Sequence, residues 1–164
     1  MNRHLLALLA CVALLSVCAA GAAAEFDTRV PLERAASGNF YVEGVLNANV
    51  RSKFLVDTGS GLVTITEDLL DALNADGRVE RAGRVAARLA NGKVQAVQLY
   101  RVEHFRVGAS CELGPVDVAV MPGRGANILG LNVLARAAPF AVHVEPPALT
   151  LSDCALGAAE LAAR

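Results

Sequence analysis

From Asn39 onward the chain is a succession of short apolar or alternating segments cut by glycine, asparagine and proline, and this punctuation constrains the fold more than anything else in the sequence. Segments of that length, with period-two alternation and turn residues between them, read as strands of an all-β domain. The expected strands are Phe40 to Leu46, Lys53 to Val56, Leu62 to Ile65, Arg84 to Leu89, Val94 to Val107, Glu112 to Met121, Phe140 to Val144 and Ala148 to Leu151. Asn47-Ala48-Asn49 and Asn91-Gly92 suit left-handed turn positions, since glycine lacks a Cβ and asparagine tolerates positive φ. Asn91-Gly92 is the clearest hairpin signal. Two short helices are expected among the strands. Thr66 can cap one that runs through Leu73, with Glu67 and Asp68 at the positive end of its dipole. The other covers Leu131 to about Ala138 and is stopped by Pro139.

The first 24 residues stand apart from this pattern. Arg3 and His4 precede the apolar stretch Leu5 to Val17, and small residues follow to Ala24, the grammar of a secretory signal cut before Glu25. The apolar core is shorter than the roughly 20 residues that a spanning helix needs, so no integral membrane segment is expected after cleavage. The chain is then exported, periplasmic or secreted. An alternative is a lipoprotein anchored through Cys18, which follows Leu15-Ser16-Val17 at the right offset. Residues 25–38 form an N-terminal segment, 39–152 one domain and 153–164 a tail that is helical or frayed. A single core suffices for a chain of this length.

With a formal net charge of −1 and no basic block, neither nucleic acid nor an anionic membrane surface is an implied partner. The stretch Arg78, Arg81, Arg84 and Arg88 reads as a solvated face. Gly123 and Gly125 flank Arg124 without the strand-loop-helix pattern of a phosphate loop. Cys111 and Cys154 are the cysteines of the mature chain. They are either a disulfide, closing a loop of about 44 residues at a gain of about 3–4 kcal/mol, or two small apolar residues. No metal site is expected, because His104 and His143 have no second ligand at useful spacing; His143 reads as solvent-facing and His104 as part of a long hairpin arm.

The chemistry is carried by Asp57-Thr58-Gly59-Ser60, which closes the apolar run Phe54-Leu55-Val56 and leads into Leu62-Val63-Thr64-Ile65. Some 70 residues on comes Ala126-Asn127-Ile128-Leu129-Gly130-Leu131-Asn132-Val133-Leu134, an apolar strand ending in glycine and then a short helix. With the Asn91-Gly92 hairpin between them, these segments resemble the retropepsin-like aspartic proteases, the retroviral proteases and their bacterial relatives, from about Phe40 to Leu151.

The resemblance implies a closed acid-protease barrel with a flap hairpin and an aspartic endopeptidase acting on peptide or protein substrates without a cofactor. Asp57 would be the catalytic aspartate, Thr58 would brace its counterpart in a partner subunit, and Gly59 would contact substrate backbone. Ser60 would bond near the outer carboxylate oxygen, Asn91 and Gly92 would form the flap tip with Ala90 and Lys93, and Ile128 would line an apolar subsite. Gly130 would let its strand end pass close to the Asp57 turn. Hydrolysis by this chemistry needs one ionised and one protonated carboxyl, and the motif occurs once, so a homodimer is expected. Viral members carry an Asp after the position of Ser60 and an Arg after that of Gly130, which form an ion pair near the dimer contact. Here Gly61 and Leu131 stand in those places. A non-catalytic periplasmic peptide-binding or adaptor protein on the same fold is the alternative.

Overall fold

Alternation along each segment decides which side chains leave water, and the strands follow from it. The computed structural model describes residues 26–47, 49–77, 79–89, 91–123 and 125–154. In chain order the elements are β1 (Thr28–Pro31), β2 (Glu33–Arg34), β3 (Phe40–Leu46), β4 (Val50–Val56), β5 (Val63–Thr66), α1 (Glu67–Ala75), β6 (Glu80–Arg88) and β7 (Val94–Val102). There follow β8 (Phe105–Val107), β9 (Cys111–Glu112), β10 (Val116–Met121), β11 (Asn127–Leu129), α2 (Leu131–Leu134), a 3-10 turn at Ala135–Ala137, β12 (Ala141–Val144) and β13 (Pro147–Leu151). The protein is therefore mostly β with two short helices.

One sheet runs in the order β6-β7-β10-β5-β11-β4-β3-β8-β9, with β2 added on β3, and a smaller one in the order β1-β13-β12. Two pairings in the large sheet are parallel, β4 with β11 and β5 with β10, and they bring segments distant in sequence side by side. The main core lies on one face. Phe54, Val63, Ile65, Val118 and Leu129 are fully buried there with Phe105, whose ring meets that of Phe54 edge to face at 5.2 Å. Burial of this apolar surface is the chief force holding the sheet. Helix α1 starts where Thr66 accepts from the Leu69 amide at 3.3 Å, and it buries Leu69 and Leu73 against the sheet.

Several expected boundaries move, each for a local reason. The long strand Val94 to Val107 is broken at Glu103-His104, where both amides donate to the Asn47 side chain at 3.1 and 3.3 Å instead of to a ladder. Asn47 itself takes a positive φ of 45°. The strand Glu112 to Met121 is interrupted at Gly114-Pro115, since proline has no amide to donate. The segment before residue 39 is part of the fold, because β1 pairs in register with β13 from Thr28 with Leu151 to Pro31 with Ala148. Cys111 and Cys154 are joined by a disulfide, both buried, which ties β9 to the end of β13. His143 is half-buried rather than solvent-facing, its Nε2 lying 3.1 Å from the Thr150 hydroxyl, while His104 lies in the turn between β7 and β8, 3.7 Å from Glu112. The leader 1–24 with Cys18, the tail 155–164, and Ala48, Arg78, Ala90 and Arg124 lie outside the described residues. Among the described residues no helix is long and apolar enough to cross a membrane.

Candidate active site

Asp57 is the first residue past β4, and its position is fixed by the strand beside it. β11 runs parallel to β4 with Ile128 opposite Leu55 and Leu129 opposite Val56, and the Asp57 amide then donates to the Leu129 carbonyl at 3.2 Å. The chain turns at once, Ser60 N donating to Asp57 O at 3.3 Å. Within the turn the Gly59 amide donates to Asp57 Oδ1 at 2.8 Å, which orients the carboxylate. Asp57 is half-buried and Thr58 and Gly59 are exposed, so the acid is held by backbone yet open to solvent. Ser60 differs from expectation. Its hydroxyl donates to the Leu62 carbonyl at 2.7 Å rather than to the carboxylate.

The return path is built by the segment after β11. A Cβ on Gly130 would stand 2.2 Å from the Leu62 carbonyl oxygen, so only glycine lets the two backbones cross. Past that crossing Leu131 N donates to Ser60 O at 2.8 Å and Asn132 N to Gly61 O at 3.1 Å. The Asn132 side chain accepts from Val63 N at 2.7 Å and donates to Asp117 O at 2.9 Å, joining β5 to β10. Asn127 does the same one step earlier, accepting from Thr66 N at 2.9 Å and donating to Ser52 Oγ at 2.8 Å. These two asparagines are structural residues of the site whose roles the sequence reading did not assign. The available signal was a pair of amides in an otherwise apolar run, which must find partners when buried.

The sheet face turned away from the main core carries the remaining candidates. Reading the registers across, Leu99 faces Ala119, Ala119 faces Thr64, Thr64 faces Ile128, and Ile128 faces Leu55. Residues directly opposite in neighbouring strands share a face. Ile128 thus sits mid-row, half-buried, and Asp57, two residues past Leu55, continues on that same side by alternation.

β6 and β7 form the long hairpin expected around Asn91-Gly92. Its turn closes by Gly92 N to Leu89 O and Leu89 N to Lys93 O, both 2.8 Å, while the Asn91 side chain accepts from Lys93 N at 3.0 Å. Gly92 takes a φ of 81°, which an L side chain rarely adopts. Val97 and Leu99 form a second apolar cluster with Ala119, and Leu62, Val85, Ala87 and Met121 pack against it. The hairpin arms therefore rest on Leu62, two residues past Ser60. Arg101 of β7 also grips Asp117 of β10 through two bonds of 2.5 and 3.1 Å. The hydrogen bond to Asp117, then that carboxylate's charge, raises the Arg101 guanidinium above its ordinary range. Among the described residues no cluster of histidine, cysteine, aspartate and glutamate could hold a metal ion.

Residues 42–136, more than half of the chain, match the family described as gag-polyprotein putative aspartyl protease. The chain belongs to this retropepsin-like family. The matched range contains the Asp57 turn, the β6–β7 hairpin and the β11–α2 crossing, the three parts just described. A crystal structure of a retropepsin-like aspartic protease from Rickettsia conorii superposes with a TM-score of 0.55 at 20% sequence identity, over 76% of this chain and 90% of that one. At that identity the likeness establishes the retropepsin-like fold. No curated protein matches the retropepsin-like chain in sequence.

Proposed function

We propose that this protein is an exported aspartic endopeptidase in which two copies of Asp57, one from each subunit of a homodimer, hydrolyse peptide bonds. The observation that carries the reading is the setting of Asp57: a carboxylate oriented by the Gly59 amide, open to solvent on a turn, and followed through the Gly130 crossing by a rigidly braced return strand.

A lone carboxylate cannot supply both halves of acid–base hydrolysis. Two held about 3 Å apart cannot both ionise, so one stays protonated. The ionised Asp57 takes a proton from a water whose oxygen attacks the peptide carbonyl carbon. The protonated Asp57 donates to the carbonyl oxygen, giving a neutral gem-diol. On collapse one diol hydroxyl gives its proton to the now ionised Asp57 while the now protonated Asp57 donates to the departing amine nitrogen; the C–N bond breaks, leaving acid and amine products and a single proton on the pair. Thr58, whose hydroxyl has no partner among the described residues, is available to brace the second copy. The hairpin tip at Asn91 and Gly92 and the apolar Ile128 would enclose the substrate.

Cleavage of a mixed peptide library by the chain from residue 25 onward, compared with Asp57→Asn, tests the reading. Loss of essentially all cleavage in the variant is expected, together with a bell-shaped pH profile whose two apparent constants belong to the pair. Equal cleavage by both proteins refutes it.

A further inference from the structure

The turn that holds Asp57 is built from chain almost without charge. Residues 57–66 and 126–135, the two segments that build it, contain a single charged side chain, that of Asp57 itself. The ion pairs of the described residues, Arg51 with Glu43, Lys53 with Glu33, Arg101 with Asp117 and His104 with Glu112, are all made by residues outside these two segments, Asp117 meeting them through its backbone carbonyl, which accepts from Asn132. Against this neutral ground one large apolar side chain is left in water. Leu131 is 37% exposed, although its own amide is tied to Ser60 O at 2.8 Å and so fixes it beside the turn. Gly61 next to it is exposed and has no atom within 4 Å of where a Cβ would stand.

A twofold axis that brings two Asp57 carboxylates into hydrogen-bonding distance must also press the residues flanking the turn toward the second copy. Those residues offer no charge to pair and a leucine to bury. We propose that Leu131, with the bare Gly61 beside it, forms an apolar seal against a second copy of this chain, so that the dimer closes on neutral, desolvated surface rather than on ion pairs. The inference rests on the dimeric reading above and specifies its contact chemistry. Screening by salt weakens exposed ion pairs but leaves apolar contact intact, and excluded salts strengthen it. Water expelled around the carboxylates also strengthens the hydrogen bond they share.

Sedimentation equilibrium of the chain from residue 25 onward at roughly 0.05 M and 1 M sodium chloride reads the proposal directly. The expected result is a dimer whose dissociation constant is unchanged or lower at high salt. Leu131→Asn should weaken association by roughly tenfold for each copy, about a hundredfold for the symmetric pair, while Leu131→Met retains it. Position 131 opens α2 and is part-exposed, so the asparagine variant should fold, and a thermal melt verifies this. Dissociation at high salt, a Leu131→Asn protein that associates like the parent, or a parent that stays monomeric overturns the seal. Asp57-dependent cleavage is scored on the same preparations. Cleavage that survives in a salt-labile dimer removes the seal and keeps the peptidase reading, whereas a salt-resistant dimer with no Asp57-dependent cleavage does the reverse.

Discussion

Gly130→Ala should be severely damaging to this protein, and the structure supplies the reason. The new Cβ would stand 2.2 Å from the Leu62 carbonyl oxygen, 2.4 Å from its carbon and 2.9 Å from its amide nitrogen, where ordinary contact begins at 3.4 Å. Everything it meets is backbone, so no rotamer change can relieve it. Movement of either segment strains the bonds that pin them together, Leu131 N to Ser60 O at 2.8 Å and Asn132 N to Gly61 O at 3.1 Å. Overpacking alone costs about 1–3 kcal/mol. Loss of the two backbone bonds adds about 1 kcal/mol each, for a total of about 3–5 kcal/mol. Set against a total stability of about 5–15 kcal/mol, that is a severe loss. Urea unfolding followed by far-ultraviolet circular dichroism measures it, with Gly61→Ala as the control. Gly61 lies in the same loop but has nothing within 4 Å of its would-be Cβ, so its variant should stay within about 0.5 kcal/mol of the parent. The crossing argument is refuted if Gly130→Ala loses less than about 1 kcal/mol, or if the two variants lose the same amount.

Two further perturbations follow from the same framework. Asn132→Ala removes an acceptor from the buried Val63 amide and a donor from the Asp117 carbonyl, and should cost about 2–4 kcal/mol in the same assay, with cleavage falling further than unfolding explains; an unchanged urea midpoint would show that water replaces both bonds. Reduction of the Cys111–Cys154 disulfide, which spans 43 residues, should lower stability by about 3–4 kcal/mol, and Cys154→Ser should be equally destabilised but indifferent to reductant. A reductant effect of the same size on Cys154→Ser would mean that the crosslink is not its target.

Much of the site could be read from the chain because its parts are local. Thr66 caps α1 through its own side chain, three residues ahead of the amide it serves, and Asn91-Gly92 closes a hairpin from within. The neighbourhood of Glu103 and His104 was misjudged because the competing partner is not local: Asn47, more than fifty residues earlier, takes both amides and ends β7. β1 was missed for a related reason. Thr28 to Pro31 is too short and too mixed to announce itself as a strand, and it becomes one by pairing with β13 at the far end of the chain. Ser60 had a carboxylate and a carbonyl within reach, and only the geometry of the turn decides for Leu62 O.

By itself the sequence determined the mostly β class, the retropepsin-like family to which the chain belongs, and the single Asp57-Thr58-Gly59 on which any hydrolytic chemistry would depend. Those are properties of short motifs, where strand periodicity and turn stereochemistry act over a few residues. The tertiary structure decided what two distant segments do to one another: that Gly130 crosses Leu62 at a distance no side chain could tolerate, that Asn127 and Asn132 brace the strands around Asp57, and that Leu131 is left in water beside it. Such contacts join residues about 70 positions apart, and the sequence between them carries no local signal of how closely they will meet.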